Sequence, residues 1–425
     1  MQKSWTKSYI DILKEELVLA LGCTEPIAIA YGAANVKKLL KNIPESIHIE
    51  ASANLIKNIQ SVVIPNTGGM VGMKPAIIAG LMAKDINNPL EILSQIKKAD
   101  HHDFNILLQK HTITISKLNS DHNLHFVITG NHQNDSVKVE IKHLHTNITN
   151  IIVNGHETYS KEDDHDSYEQ TRQHRDALHI DAIYDFANTV DLKPIKSLLS
   201  AQIKHNMAIA NDGLDHDYAI NIGRIILETD HSIEHAIKAY SASASEARMC
   251  GSPKAVMTNS GSGNQGITSS VPVIVFANEK KLSDESLYRA LILSNLLTIH
   301  QKTKIGRLSA FCGAISACAS TAAAFVYLEN GTVEQIKMAL INTLADAAGV
   351  ICDGAKASCA AKITTGLDAA LLGYRLAMRN KTYPPYTGLI DADADQTILN
   401  IGRLANQGMK SVDDMIVKTM IDRKY

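Results

Sequence analysis

The chain has 425 residues, 45% of them hydrophobic and 20% charged, which is enough to bury a sizeable core and, at about 100 to 200 residues per domain, predicts two or three domains. A formal net charge of -2 and the absence of any basic run argue against nucleic acid as the main partner. The polar opening MQKSWTKSYIDILKEEL lacks an apolar signal core, and no later segment offers about 18 uninterrupted apolar residues, so a cytoplasmic protein is expected, without a membrane partner.

Residues 5–21 carry apolar side chains at helical spacing (Ile10, Leu13, Leu17, Leu21), with Gly22 as a stop. A second helix begins at once in GCTEPIAIAYGAANVKKLL, where Thr24 can cap, Glu25 complements the positive helix end and Pro26 sits in the first turn. Cys23 therefore falls at a helix N-terminus, where the partial positive charge favours the thiolate. The competing reading is an ordinary buried thiol.

From about residue 45 the pattern changes. IHIEASANLI alternates as a strand, PNTGGMVGMKPAIIAGLMAK gives a Gly-rich turn feeding a helix, and HTITISKL, NLHFVITGN, SVKVEIKHL and NIIVNGHE read as further strands. The many histidines of this stretch show no repeated ligand spacing and read as packed or solvated. The charge run 160–176 marks a domain boundary. Beyond it, 177–190, 193–210, 216–229, 231–247, 284–303, 309–328, 332–348 and 366–380 have helical periodicity, 266–282 is favoured as helix over strand, and the C-terminal stretch is an amphipathic helix. The fold class is α+β, with a large all-helical domain beside a smaller α+β domain. Its expected divisions are 1–44 (N-terminal helices packing on the helical domain), 45–157 (α+β) and 158–425 (helical).

Chemistry concentrates in 306–362, where Cys312, Cys318, Cys352 and Cys359 lie among Ala, Gly, Ser and Ile. Six cysteines in a cytosolic chain of this length read as metal-binding, catalytic or buried thiols, not a disulfide frame. Small neighbours let backbone approach a bulky inorganic cofactor, and thiolates are the soft ligands that iron–sulfur clusters and zinc prefer. The spacing is not that of a compact C-x-x-C loop, so three ligands would have to be assembled by the fold. A second feature is VMTNSGSGNQGITSSVP, a Gly/Ser/Asn loop entering a helix. Its amides and hydroxyls suit a small carboxylate or phosphate, and it has neither a Walker lysine nor a dinucleotide context. PNTGG is a weaker loop of the same kind, and each loop alone also reads as a structural turn.

Together GCTEP (22–26), PNTGG (65–69), ARMCGSPKAVMTNSGSGNQG (247–266), the Cys312 segment and ICDGAKASC (351–359) resemble the L-cysteine desulfidases, relatives of the bacterial iron–sulfur L-serine dehydratases. The resemblance spans nearly the whole chain. It implies a PLP-independent carbon–sulfur lyase with a 4Fe-4S cluster on Cys312, Cys352 and Cys359, and Cys23 at the active site as the base or a resting fourth ligand. The substrate loops would be Thr67, Gly68 and Gly69 with Asn259, Ser260, Gly261, Ser262, Gly263 and Asn264. The implied reaction turns L-cysteine into pyruvate, ammonia and hydrogen sulfide. L-serine dehydration is the second reading, and a non-catalytic metal or iron–sulfur redox sensor the third.

Two departures from the relatives matter. The serine branch has a longer gap between its last two cluster cysteines and can close the fourth iron site with a C-terminal cysteine, whereas this chain ends MIDRKY. Cys250 stands where relatives usually have Gly, and it and Cys318 are expected to be buried and inert. A straight helix would hold Cys352 and Cys359 about 10 Å apart, so Asp353-Gly354 is expected to break it. A homodimer is the expected assembly.

Overall fold

A computed structural model describes residues 2–97, 100–120, 122–161, 175–306 and 309–421. Most of the charge run 160–176 lies outside the described residues. The sheet unit has six strands in the order β3-β2-β4-β5-β6-β7, namely β2 (Ser46–Ala51), β3 (Thr112–Lys117), β4 (His125–His132), β5 (Asp135–Lys142), β6 (Ile148–Val153) and β7 (His156–Ser160). Only β2 and β3 run parallel; the remaining pairs are antiparallel. The stretch NIIVNGHE supplies two strands, because Asn154 and Gly155 both take positive φ and form the tight turn between β6 and β7.

Period-2 alternation puts Ile47, Ile49, Phe126, Ile128, Val137, Val139 and Ile141 into one core with the helices Thr24–Leu40 and Met73–Met82. These helices touch backbone to backbone: a Cβ on Gly80 would lie 2.0 Å from the Ala30 carbonyl oxygen. The remaining helices build a second core, with Gly313–Leu328 at its centre against Gly263–Glu279, Asp284–Ile305, Val333–Ala347 and Cys359–Ala377. That central helix is apolar or small on every side, as a fully buried helix must be.

The helix favoured over 266–282 runs from Gly263 to Glu279 despite Pro272. A proline there removes the hydrogen bond to the carbonyl four residues back. The freed Thr268 carbonyl instead accepts from Thr321 Oγ1 at 2.8 Å. No described helix is long and apolar enough to cross a membrane.

Several expectations change. The strand read over IHIEASANLI ends at Ala51, and its last residues open the helix Ala53–Ile59. The first helix, Gln2–Glu16, stops short of Leu21, because Leu19–Leu21 forms strand β1, antiparallel to β8 (Ala255–Met257). The stretch 1–44 is shared between the cores, with Tyr9, Leu13 and Leu17 in the helical core and Ile27, Ile29 and Val36 in the sheet core. The helix expected over 366–380 begins earlier, at Cys359.

Candidate active site

Pairing of β1 with β8 creates the first half of the site, because it lays the turn after Leu21 beside the Gly/Ser/Asn loop more than two hundred residues later. Cys23 is the N-cap residue of the helix Thr24–Leu40, and Thr24 Oγ1 donates to the Gly261 carbonyl at 3.1 Å. Ser262 caps the helix Gly263–Glu279 by accepting from the Gln265 amide.

The second half comes from a short backbone bridge between Phe311 and Ile351. The Cys312 amide donates to the Val350 carbonyl at 3.1 Å and the Cys352 amide to that of Ala310 at 2.6 Å, which brings the two cysteines to one bridge, Cys312 opposite Val350 and Cys352 opposite Ala310. Gly354, at φ 99, turns the chain so that Cys359 opens the next helix. Cys352 thus precedes that helix and shares no helical face with Cys359. A Cβ on Gly354 would lie 2.4 Å from the Lys57 carbonyl oxygen. Lys57, with a side chain 1% exposed, pairs with Asp413 and donates to the Cys352 carbonyl at 3.3 Å, tying the sheet unit to the cysteine loop. Asp353 is further held by Lys356 and Lys362. Burial raises its pKa, but these two lysines outweigh burial and bring it to about 2.

One cavity of about 370 Å³ is lined by Cys23, Glu25, Arg248, Ser260, Gly261, Ser262, Asn264, Gln265, Cys312, Cys352 and Cys359. Several predicted residues lie outside it. Asn259 is fully buried and donates to Asn295 Oδ1 at 2.9 Å, so it holds the loop from beneath. Gly263 is absent from the lining; a Cβ there would lie 2.2 Å from Arg248 Nε. The Thr67-Gly68-Gly69 turn is elsewhere: Thr67 Oγ1 donates to the Ile64 carbonyl, and Gly68 and Gly69 line a second cavity with His101 and Cys250. The PNTGG loop therefore does not converge with Cys312, Cys352 and Cys359. Its glycines serve a turn in which Gly68 and Gly69 take φ of 78 and 92.

The expected thiolate at Cys23 is also corrected. Burial pushes this thiol well above its ordinary value, and the Glu25 carboxylate raises it further, against a smaller opposing effect of Arg248. Cys23 Sγ donates to Glu25 Oε2 at 2.8 Å, and Glu25 also accepts from Thr24 Oγ1 at 3.2 Å and Asn58 Nδ2 at 3.2 Å. Desolvation outweighs the helix dipole here, and the resting group is a thiol aimed at a carboxylate. Cys312 is pushed up to about 12 by burial and then by Cys352 and Cys359. Cys318 is fully buried beneath Gly366, and Cys250, half-buried, is pushed up to about 11 by burial and then Glu246.

Sequence reasoning missed the acceptor role of Glu25 and missed Arg248 and Gln265 altogether. Glu25 read as a dipole complement. Arg248 lay within a string used for the resemblance, but an arginine in the last turn of a helix also reads as a dipole partner.

The fold brings three thiols to one cavity with a thiol–carboxylate pair on a helical scaffold. The model of the serine dehydratase alpha chain matches residues 87–418, and the chain belongs to that family. It is similar along its whole length to UPF0597 proteins of Treponema denticola (42% identical, 99% of both chains), Desulfitobacterium hafniense (40%, 99% of this chain and 98% of the relative) and Porphyromonas gingivalis (33%, all of both chains). Those names specify no substrate.

Proposed function

We propose that the protein is an iron–sulfur-dependent, PLP-independent lyase that converts L-cysteine to pyruvate, ammonia and hydrogen sulfide. The observation that carries this reading is the convergence of Cys312 with Cys352 and Cys359 on one cavity with the Cys23–Glu25 pair and the Ser260–Asn264 loop. The donor set fits a cluster better than a single ion. A lone metal bonded to thiolates at about 2.3 Å needs tightly converging ligands. Three thiols that line one cavity of about 370 Å³ leave room for a larger inorganic core. The 4Fe-4S cluster, held by Cys312, Cys352 and Cys359, would supply a Lewis-acidic iron open to substrate.

The protein's own part is proton management. Cys23 passes its proton to Glu25 Oε2 across 2.8 Å, and the resulting thiolate removes the α-proton of the substrate. As the Cβ–S bond breaks, the departing HS- takes the proton from Glu25. Cys23 is then again a thiol and Glu25 again a carboxylate, so the cycle closes without an external acid. Ser260, Ser262 and Asn264 orient the amino acid, and the enamine product leaves and hydrolyses to pyruvate and ammonia.

The family match supports L-serine as a second substrate, with hydroxide leaving in place of hydrosulfide. The short Cys352 to Cys359 gap favours cysteine. The expected setting is the cytoplasm and the expected assembly a homodimer. Anaerobic reconstitution with iron and sulfide, followed by assays for sulfide from cysteine and pyruvate from serine, tests the reading. Elimination from neither substrate at full cluster content would leave a non-catalytic iron–sulfur protein.

A further inference from the structure

We infer that Arg248 and Gln265 form a receptor for the two charged groups of an α-amino acid, with Arg248 binding the carboxylate and the Gln265 side-chain oxygen the ammonium. This rests on the lyase reading for its substrate class, but its geometry stands apart from the cluster. Arg248 closes the helix Ile233–Met249, lines the cavity and is 2% exposed. Its Nε donates to the Gly22 carbonyl and its Nη1 to Asn264 Oδ1, each at 3.1 Å. Both acceptors are neutral, and no ion pair joins Arg248 to a carboxylate among the described residues. The two buried glutamates of the same cavity are engaged elsewhere: Glu25 accepts from Cys23, Thr24 and Asn58, and Glu16 from Arg175. A buried guanidinium without an acid is strongly disfavoured unless an anion completes it, and its planar fork matches a carboxylate.

A second observation lies on the next helix, Gly263–Glu279. Gln265 is 5% exposed and lines the cavity, and its Oε1 is buried without a hydrogen-bond partner among the described residues. An orphan acceptor is the complement of an ammonium donor. The scaffold is built around both groups: a Cβ on Gly263 would strike Arg248 Nε at 2.2 Å, and one on Gly313 would strike Gln265 Nε2 at 2.6 Å. Arg248 Nε donates to the carbonyl of Gly22, the residue before Cys23, and both side chains line the cavity, so a carboxylate gripped there would sit near the group that takes the α-proton.

The test compares L-cysteine with L-cysteinamide in turnover by the reconstituted enzyme, and L-alanine with L-alaninamide and propionate in calorimetry. The parent should prefer each acid over its amide, and L-alanine over propionate. In Arg248→Gln the preference for acid over amide should fall by at least about 30-fold, through KM more than kcat, with cluster content unchanged and Arg248→Lys between. Gln265→Leu should erode the preference for L-alanine over propionate by about tenfold or more. A parent that handles acid and amide alike would overturn the proposal even if the variants failed to fold. So would a folded Arg248→Gln that keeps the parent preference. L-alanine binding that depends on Arg248 in a protein without lyase activity would sink the proposed reaction and keep the receptor.

Discussion

Replacing Glu25 by Gln isolates the proton step, because it removes the ability to take up a proton while keeping nearly the same shape. In the structure the carboxylate lies 2.8 Å from the Cys23 sulfur, within direct transfer distance and with no room needed for a relay. Gln retains an oxygen for Asn58, which now bonds Glu25 Oε1 at 3.2 Å, so little stability should be lost. General base catalysis contributes about 10²- to 10⁴-fold, which is roughly 3 to 5 kcal/mol in the barrier. The expected result is a fall in kcat of that size with KM little changed and iron and sulfide content at the parent level. Alkylation of Cys23 by iodoacetamide, followed by peptide mass spectrometry, should move the other way. Burial is the main cause of the raised thiol pKa and Glu25 the next, so neutralising Glu25 lowers that pKa and exposes more thiolate at a given pH. Faster alkylation with slower turnover separates proton acceptance from mere thiolate content. A variant that turns over cysteine within threefold of the parent would refute the direct proton transfer, and unchanged alkylation would refute the thiol–carboxylate contact.

Substituting Ala for Cys312, Cys352 or Cys359 should abolish the brown cluster absorbance after reconstitution, whereas Cys318→Ala and Cys250→Ala should retain it. Retention in any of the first three would remove that residue from the ligand set. Cys23→Ser should keep the cluster and lose nearly all activity, since a serine hydroxyl is far too weakly acidic to replace the thiol; parent-level turnover would move the base elsewhere. Ser262→Ala removes the cap of the helix Gly263–Glu279 together with a cavity hydroxyl, so stability should drop by about 1 kcal/mol in urea titration and KM should rise with the cluster intact. Thr321→Val should cost about 1 to 3 kcal/mol, because it orphans the buried Thr268 carbonyl that Pro272 has already freed, while Thr321→Ser should stay near the parent. Equal urea midpoints for the Val and Ser variants would contradict that role.

Much of the secondary structure was legible because it rests on periodicity: the alternation in 46–51 and 125–142 and the helical spacing after residue 176 have local causes. The misplaced end of the first helix had a non-local cause. Leu17 and Leu21 fit a helical face, but Leu21 pairs with Ala255 in a strand contact that no local window can contain. The two Gly-rich loops looked alike in sequence. One caps the helix beside the cysteines and the other closes a turn over a separate cavity, and only their surroundings distinguish them.

Composition and spacing by themselves determined an α+β chain with a helical majority and with thiols set among small residues, because those properties depend on residue type and on neighbours a few positions away. Tertiary structure alone decided which thiols share a cavity. The Phe311–Ile351 bridge brings the Cys312 and Cys352 stretches together, and the β1–β8 pair carries Cys23 to the Ser262 loop. It also decided the charge state of Cys23. A helix N-terminus favours a thiolate when solvated, but full burial against Glu25 reverses that preference, and burial is a property of the whole fold.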